Sequence, residues 1–162
     1  MKRNMRRFRQ QLSEQESIEI LRSGKVAVMA VEGDDDYPYA VPINYVYAEG
    51  SVYFHSASEG HKIDALKRNP KCSLCVVEKD EIIAEEFTSY FRSVIAFGRA
   101  EFIDDEEGKL AALKLMCAKY SEGFDPSKEI QKCLTRVAII RVRLDNISGK
   151  EAIELVRKRD SI

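Results

Sequence analysis

The sequence predicts an α+β protein built on a small closed barrel of six or seven antiparallel strands, with helices inserted between and after them. Three observations predict it. The first three strand-like runs, Lys25 to Val31, Tyr37 to Tyr47 and Ser51 to Ser56, are joined by tight turns, which antiparallel neighbours allow and parallel ones do not. Further strand runs at Cys72 to Val77, Tyr90 to Ile103 and Val137 to Asp145 are separated by longer segments, most of helical period. The chain has no G-x-G-x-x-G and no Walker A motif, so a doubly wound nucleotide fold would lack its phosphate loop. Closing the sheet into a barrel would dispose of its exposed edges.

Each element has its own signal. Ser13-Glu-Gln-Glu16 has the form of a capping box, and Ile18, Leu21 and Gly24 supply a buried stripe and a stop for a short helix. The apolar run Lys25 to Val31 and the run Tyr37 to Tyr47 make a hairpin across the acidic turn Gly33 to Asp36. Pro42 cannot donate to a strand ladder, so it must lie at an edge, at a bulge or against a ligand. Ala48-Glu-Gly50 turns the chain into the third strand, and Tyr45, Tyr47 and Tyr53 are either a stacking surface or ordinary sheet tyrosines. After the strand at Cys72 to Val77, residues 78–88 read as a charged connection. Gly98 marks a bend or bulge in the long strand that follows. Asp104 or Asp105 caps a helix through Leu110 to Cys117, and Pro126 opens a shorter one to about Leu134. The last strand leads through Ile147-Ser-Gly-Lys150 into a charged terminal helix.

Composition bounds the function. With 162 residues, 44% hydrophobic and 33% charged, the chain is long enough for one complete core, and no repeat or low-complexity linker divides it. We expect a basic arm over residues 1–11 and a single domain over residues 12–162. A formal net charge of -1 argues against a general nucleic-acid binder, and no run approaches the roughly 20 apolar residues of a membrane span. The N-terminus is too basic for a secretory signal, which leads us to expect a cytoplasmic protein. Four cysteines fit a reducing compartment. Cys72 and Cys75 form a C-x-x-C, but residues three apart on a strand point to opposite faces and do not readily share a metal.

The stretch Ser51 to Pro70 carries the strongest chemical signal. It passes from a strand through Ser56, Ala57, Ser58 and Gly60 into a helix that starts at His61 and is closed by Asn69-Pro70. Free amides and the positive helix end favour a phosphate there, with Ser56, Ser58 and Lys62 as candidate ligands. The same segment can also be read as a plain strand-to-helix connection.

Four segments together carry a resemblance: Tyr37-Pro-Tyr-Ala-Val-Pro-Ile-Asn44, Val52-Tyr-Phe-His-Ser56 with Gly60-His-Lys62, Tyr90-Phe-Arg-Ser-Val94 with Phe97-Gly-Arg-Ala100, and Ile147-Ser-Gly-Lys150. In this order and spacing the chain resembles the FMN-binding split-barrel proteins related to pyridoxamine 5'-phosphate oxidase, most of all the nitroimidazole-resistance (Nim) group. The resemblance implies a split barrel with FMN held at a homodimer interface. It implies cofactor contacts from Pro42, Ile43, Asn44, His55, Ser56, His61, Lys62, Ser93, Val94 and Lys150. His61 stands where the oxidases keep an arginine, so Lys62 and the helix amides carry more of the phosphate. The C-terminal Arg-Leu-x-Pro by which true oxidases grip pyridoxal is missing, which argues against pyridoxamine phosphate oxidation.

The activity this implies is transfer of electrons from a reduced nicotinamide through FMN to a small acceptor such as a nitro-aromatic, with His55 as the candidate catalytic residue beside the ring. His55 can equally be a strand histidine bonded to the barrel wall and Lys150 a solvated lysine, while Arg92 either pairs across the dimer or covers a sheet edge. Two other classes stay open: a flavin-binding sensor or store without turnover, and, more weakly, a nucleic-acid or partner-binding module using the basic arm.

Overall fold

Seven strands, each antiparallel to its neighbours, form one sheet in the order β2-β1-β5-β6-β7-β4-β3 in the computed structural model, which describes residues 3–161. The strands are β1 (Val26–Glu32), β2 (Pro38–Asn44), β3 (Val46–Ala48), β4 (Ser51–Ala57), β5 (Lys71–Ile83), β6 (Thr88–Ile103) and β7 (Val137–Glu151). The helices are α1 (Glu14–Ser23), α2 (His61–Arg68), α3 (Glu106–Tyr120), α4 (Ser127–Leu134) and α5 (Ile153–Asp160). The capping box forms as expected: Ser13 accepts from the Glu16 amide while the Glu16 carboxylate takes the Ser13 N–H. Among the described residues no helix is long and apolar enough to cross a membrane.

The run Tyr37 to Tyr47 is two strands rather than one. Its apolar alternation continues, but the backbone breaks at Tyr45, so β2 pairs with β1 while β3 pairs with β4. The two edges of the sheet are therefore consecutive in the chain, and the barrel is split between them. The end of α3 seals the split. Tyr45 is fully buried, its N–H donates to the Tyr120 hydroxyl at 2.9 Å, and its carbonyl accepts from the Lys119 ammonium at 3.0 Å. Pro42 sits on edge strand β2, as a residue without an N–H requires.

The expected charged connection over residues 78–88 is also corrected. β5 runs on to Ile83 and pairs with the start of β6, with a register slip between Val77 and Lys79. Charged residues along this two-stranded projection hide its strand period, because no residue of β5 from Val77 to Ile83 is buried. A second slip, between Phe97 and Gly98, keeps β7 in register through to Glu151, so the Ile147 to Lys150 segment is strand as well.

The main core fills the barrel, where Phe54, Leu74, Ile140 and Val142 meet Leu21 of α1 and Ile63 and Leu66 of α2. A second cluster packs Leu113, Met116 and Ile130 of α3 and α4 over Val46 and Ile139. Tyr47 and Tyr53 are half-buried against these clusters, which makes them sheet tyrosines and not a stacking platform. Met1 and Lys2 of the basic arm lie outside the described residues. The rest of the arm lies on the surface and is tied down at its end: Gln10 is buried and donates to the Glu151 carbonyl at 3.0 Å, and Gln11 bridges to Lys150.

Candidate functional site

The strand-to-helix junction is built as the small residues of Ser56 to Gly60 suggest. β4 alternates so that Phe54 and Ser56 point inward while His55 is exposed. Gly60 adopts φ 118°, a conformation that side chains disfavour, and turns the chain into α2. No side chain caps this helix, and the Ile63 and Asp64 amides both return to the Gly60 carbonyl. The first-turn amides of His61 and Lys62 thus lie at an uncapped helix start, where the dipole favours an anion. Lys62 beside them is half-buried.

β2 is fastened to this junction. The Tyr39 ring stacks on His61 with centroids 4.0 Å apart, and His61 Nε2 lies 3.6 Å from the Asp34 carboxylate. From the far end of α2, Arg68 donates to the Gly33 and Glu32 carbonyls at 2.9 and 3.1 Å. The β1–β2 turn is held to α2 at both ends.

The outer face of the barrel gathers a second set. Pro42, Val28, Cys75, Ile95 and Ser148 stand opposite one another in register across five strands. Two residues along each strand, Asn44 stands opposite Val26 at one side, and Val77, Ser93 and Lys150 stand opposite one another at the other. Because strand faces alternate with period two, Pro42, Asn44, Ser93 and Lys150 all occupy this one face. Between them it is apolar and open to solvent: Val28 is 43% exposed and Val77 58%. The Lys150 ammonium lies 5.3 Å over the Phe91 ring. Ile43 and Val94 point into the core, so they offer this face only backbone groups.

One copy does not unite every expected contact. Asn44 on β2 and Ser93 on β6 are three strand spacings apart, about 14 Å. His55 stands opposite Ile139, and Lys150 lies eleven residues further along β7, roughly 35 Å of strand contour. The contacts fall into a phosphate-side group on β2, β4 and α2, and a ring-side group on β6 and β7. Arg92 belongs to neither and does more than cover a sheet edge. It reaches Glu78 at 3.1 Å, Glu16 at 3.6 Å and the buried Glu151 at 3.7 Å within its own chain. Cys72 is buried, its thiol pushed up to about 11 by burial and by Asp145, while Cys75 sits on the outer face. Among the described residues no group of three His, Cys, Asp or Glu side chains could hold a metal ion.

Residues 13–151, which take in every site residue above, match the family model described as pyridoxamine 5'-phosphate oxidase. The chain belongs to that family. Within this family's fold, a solved structure from Bacteroides thetaiotaomicron, provisionally assigned to 5-nitroimidazole antibiotic resistance, is 26% identical with a TM-score of 0.75, covering 87% of this chain and 86% of that one. An FAD-binding protein from Mesorhizobium loti is also 26% identical, with a TM-score of 0.66 over 88% of this chain and 96% of that one. An uncharacterized protein of Rhizobium meliloti is 32% identical over 99 residues, which span 60% of this chain and 59% of that relative. The family match leaves the Tyr39–His61 stack and the outward-facing Val28, Cys75 and Ile95 row to be found in the structure. Strand alternation carried a hint of the row, since Cys72, Leu74 and Val76 must face inward if Cys75 faces out.

Proposed function

We propose that the protein is a flavin-dependent oxidoreductase that works as a homodimer with FMN, or the FMN portion of a larger flavin, at the subunit interface. The observation that carries this reading is the shared outer face: Pro42, Asn44, Ser93 and Lys150 border an apolar strip of Val28, Cys75 and Ile95. A flat apolar ring with polar edges suits such a strip, and a twofold mate would bring its Ser93 and Lys150 against the Asn44 side of the first copy. The FAD-binding relative supports the flavin class.

The phosphate would be held at the start of α2 by the His61 and Lys62 amides, the Lys62 ammonium and the hydroxyls of Ser56 and Ser58. Tyr39 fixes the His61 ring, and with it the position of that first turn against β2. Lys150 places a positive charge at the ring-side group, where it would favour electron-rich forms of a bound ring. His55, exposed on β4, can deliver a proton only to a group bound at the phosphate-side half. A bound flavin supplies two-electron exchange between a reduced nicotinamide and a small acceptor such as a nitro-aromatic.

The test is an absorption spectrum of the purified protein followed by anaerobic addition of NADH or NADPH, with a nitro-aromatic as acceptor. A bound yellow chromophore that bleaches with a nicotinamide and recovers on adding the acceptor is the expected result. Colourless protein that refuses added flavin would sink the reading, and a flavin that never bleaches would leave a binding protein without turnover.

A further inference from the structure

β7 loses its second neighbour halfway along. β4 pairs with it only from Val137 to Arg143. Beyond that the Leu144 N–H donates to the Gly50 carbonyl, and the next backbone contact on this side is the Leu12 N–H donating to the Gly149 carbonyl. Backbone groups alternate sides along a strand, so the Ile147 N–H and C=O turn the same way as the Gly149 carbonyl, away from β6. Among the described residues no backbone group pairs with them. They open on a cavity of about 260 Å³ between this edge and the start of α1, with Gln11, Ser17, Asn146 and Ser148 in its lining. A free donor and a free acceptor side by side suit a primary carboxamide, which accepts through its oxygen and donates through its nitrogen.

The place of the cavity is as informative as its lining. Ser148 ends the outer row that runs through Cys75 and Ile95, so the cavity begins about 4.8 Å, one strand spacing, beyond the strip that suits a flavin ring. A second cavity of about 480 Å³ adjoins it, shares Gln11, Asn146 and Ser148 with it, and extends to Arg3, Asn4 and Met5 of the N-terminal arm. The two differ in charge. Glu14 and Asp145 line the inner cavity, which has no cation, whereas Arg3 lines the outer one, which has no carboxylate. A phosphate is repelled from the first and drawn to the second. The wall between them is fastened, because Gln10 donates to the Glu151 carbonyl and Gln11 bridges to Lys150.

We propose that this groove receives the reduced nicotinamide nucleotide, its carboxamide paired with the Ile147 N–H and C=O and its phosphates at Arg3. The assignment rests on the reductase reading of the protein, and it gives the basic arm a use. Flavin-loaded protein is mixed anaerobically with NADH, with NADPH, or with reduced 3-acetylpyridine adenine dinucleotide, whose acetyl group accepts a hydrogen bond but donates none. Flavin bleaching is followed against donor concentration in wild type and in Arg3→Gln, a change at an exposed position. The wild-type rate should saturate, with half-saturation about fivefold higher for the acetylpyridine analogue than for NADH, the worth of one hydrogen bond. Arg3→Gln should raise half-saturation for NADH roughly tenfold while the flavin stays bound. Dithionite, which needs no site, should bleach both proteins alike. A variant that saturates at the wild-type concentration, or an analogue bound as well as NADH, would overturn the assignment and leave a reductase whose donor enters elsewhere. Flavin that dithionite bleaches and neither nicotinamide does would remove the reductase reading and this one with it.

Discussion

The Tyr39 ring lies over the His61 imidazole at 4.0 Å between centroids, with the planes 24° from parallel. This contact joins edge strand β2 to the helix start that is expected to hold a phosphate. Tyr39→Ala should destabilise the fold by about 1 kcal/mol, the worth of one aromatic pair, and should also weaken flavin binding because the first turn of α2 loses its brace. Lys62→Ala should leave stability nearly unchanged while lowering flavin affinity about tenfold or more. Urea unfolding and flavin titration of the two variants separate the effects, and undiminished flavin occupancy in Lys62→Ala would count against the phosphate site.

The apolar strip predicts how copies associate. Ile95 is 37% exposed and stands in register with Cys75 and Ser148. Ile95→Asp costs little in a monomer, because a carboxylate at that position stays in water. Buried between two copies it would lie unpaired in an apolar contact. Sedimentation should therefore show a wild-type dimer and a monomeric Ile95→Asp protein with its circular dichroism unchanged. A variant that stays dimeric would place the interface elsewhere.

The basic outline was legible in the sequence wherever a strand had one wet and one dry face or a helix had a cap. Asp105, Gly98 and the Ser13 to Glu16 box are where the residues put them. Three things were not legible. The break at Tyr45 keeps its apolar alternation, and only the distant Lys119 and Tyr120 satisfy the backbone there. The end of β5 buries none of its residues from Val77 to Ile83 and so lacks a strand pattern. The meeting of Arg3, Gln11 and Ser148 depends on the N-terminal arm and a strand edge converging, and spacing along a chain holds no record of that. The same holds for the site: the contacts of one strand could be read, and their separation into two groups could not.

Acid should loosen the N-terminal helix through Glu16. Its carboxyl is held below its ordinary 4.5 by the Ser13 hydroxyl and amide and then by Arg159 and Arg92. The unfolded chain thus takes up this proton before the folded one does, so the stabilisation is complete above 4.5 and is lost as pH falls through the lower folded value. Glu101, bound by Arg141, acts in the same direction. Urea midpoints measured downward from pH 5 should fall more steeply for wild type than for Glu16→Gln, whose profile flattens without becoming level. Parallel profiles would show that Glu16 is not the group responsible.

Gly98 decides whether β6 and β7 can lie together past their register slip. A Cβ at this position would run into the Arg143 carbonyl oxygen and stand 2.7 Å from Val142 Cγ1, so the obstruction is mainly backbone of the neighbouring strand and cannot swing aside. Gly98→Ala should cost about 1 to 3 kcal/mol, the usual penalty for overpacking a filled interior. The slip also sets which residues of β7 face outward beyond it, since Asn146 stands opposite Phe97 and Leu144 opposite Gly98. Loss of the slip would turn Ser148 and Lys150 to the inner face, because a shift of one residue exchanges the two sides of a strand. The variant should therefore lose flavin affinity by more than its loss of stability accounts for. An equal loss at both, in denaturant and flavin titrations run side by side, would reduce Gly98 to a packing residue.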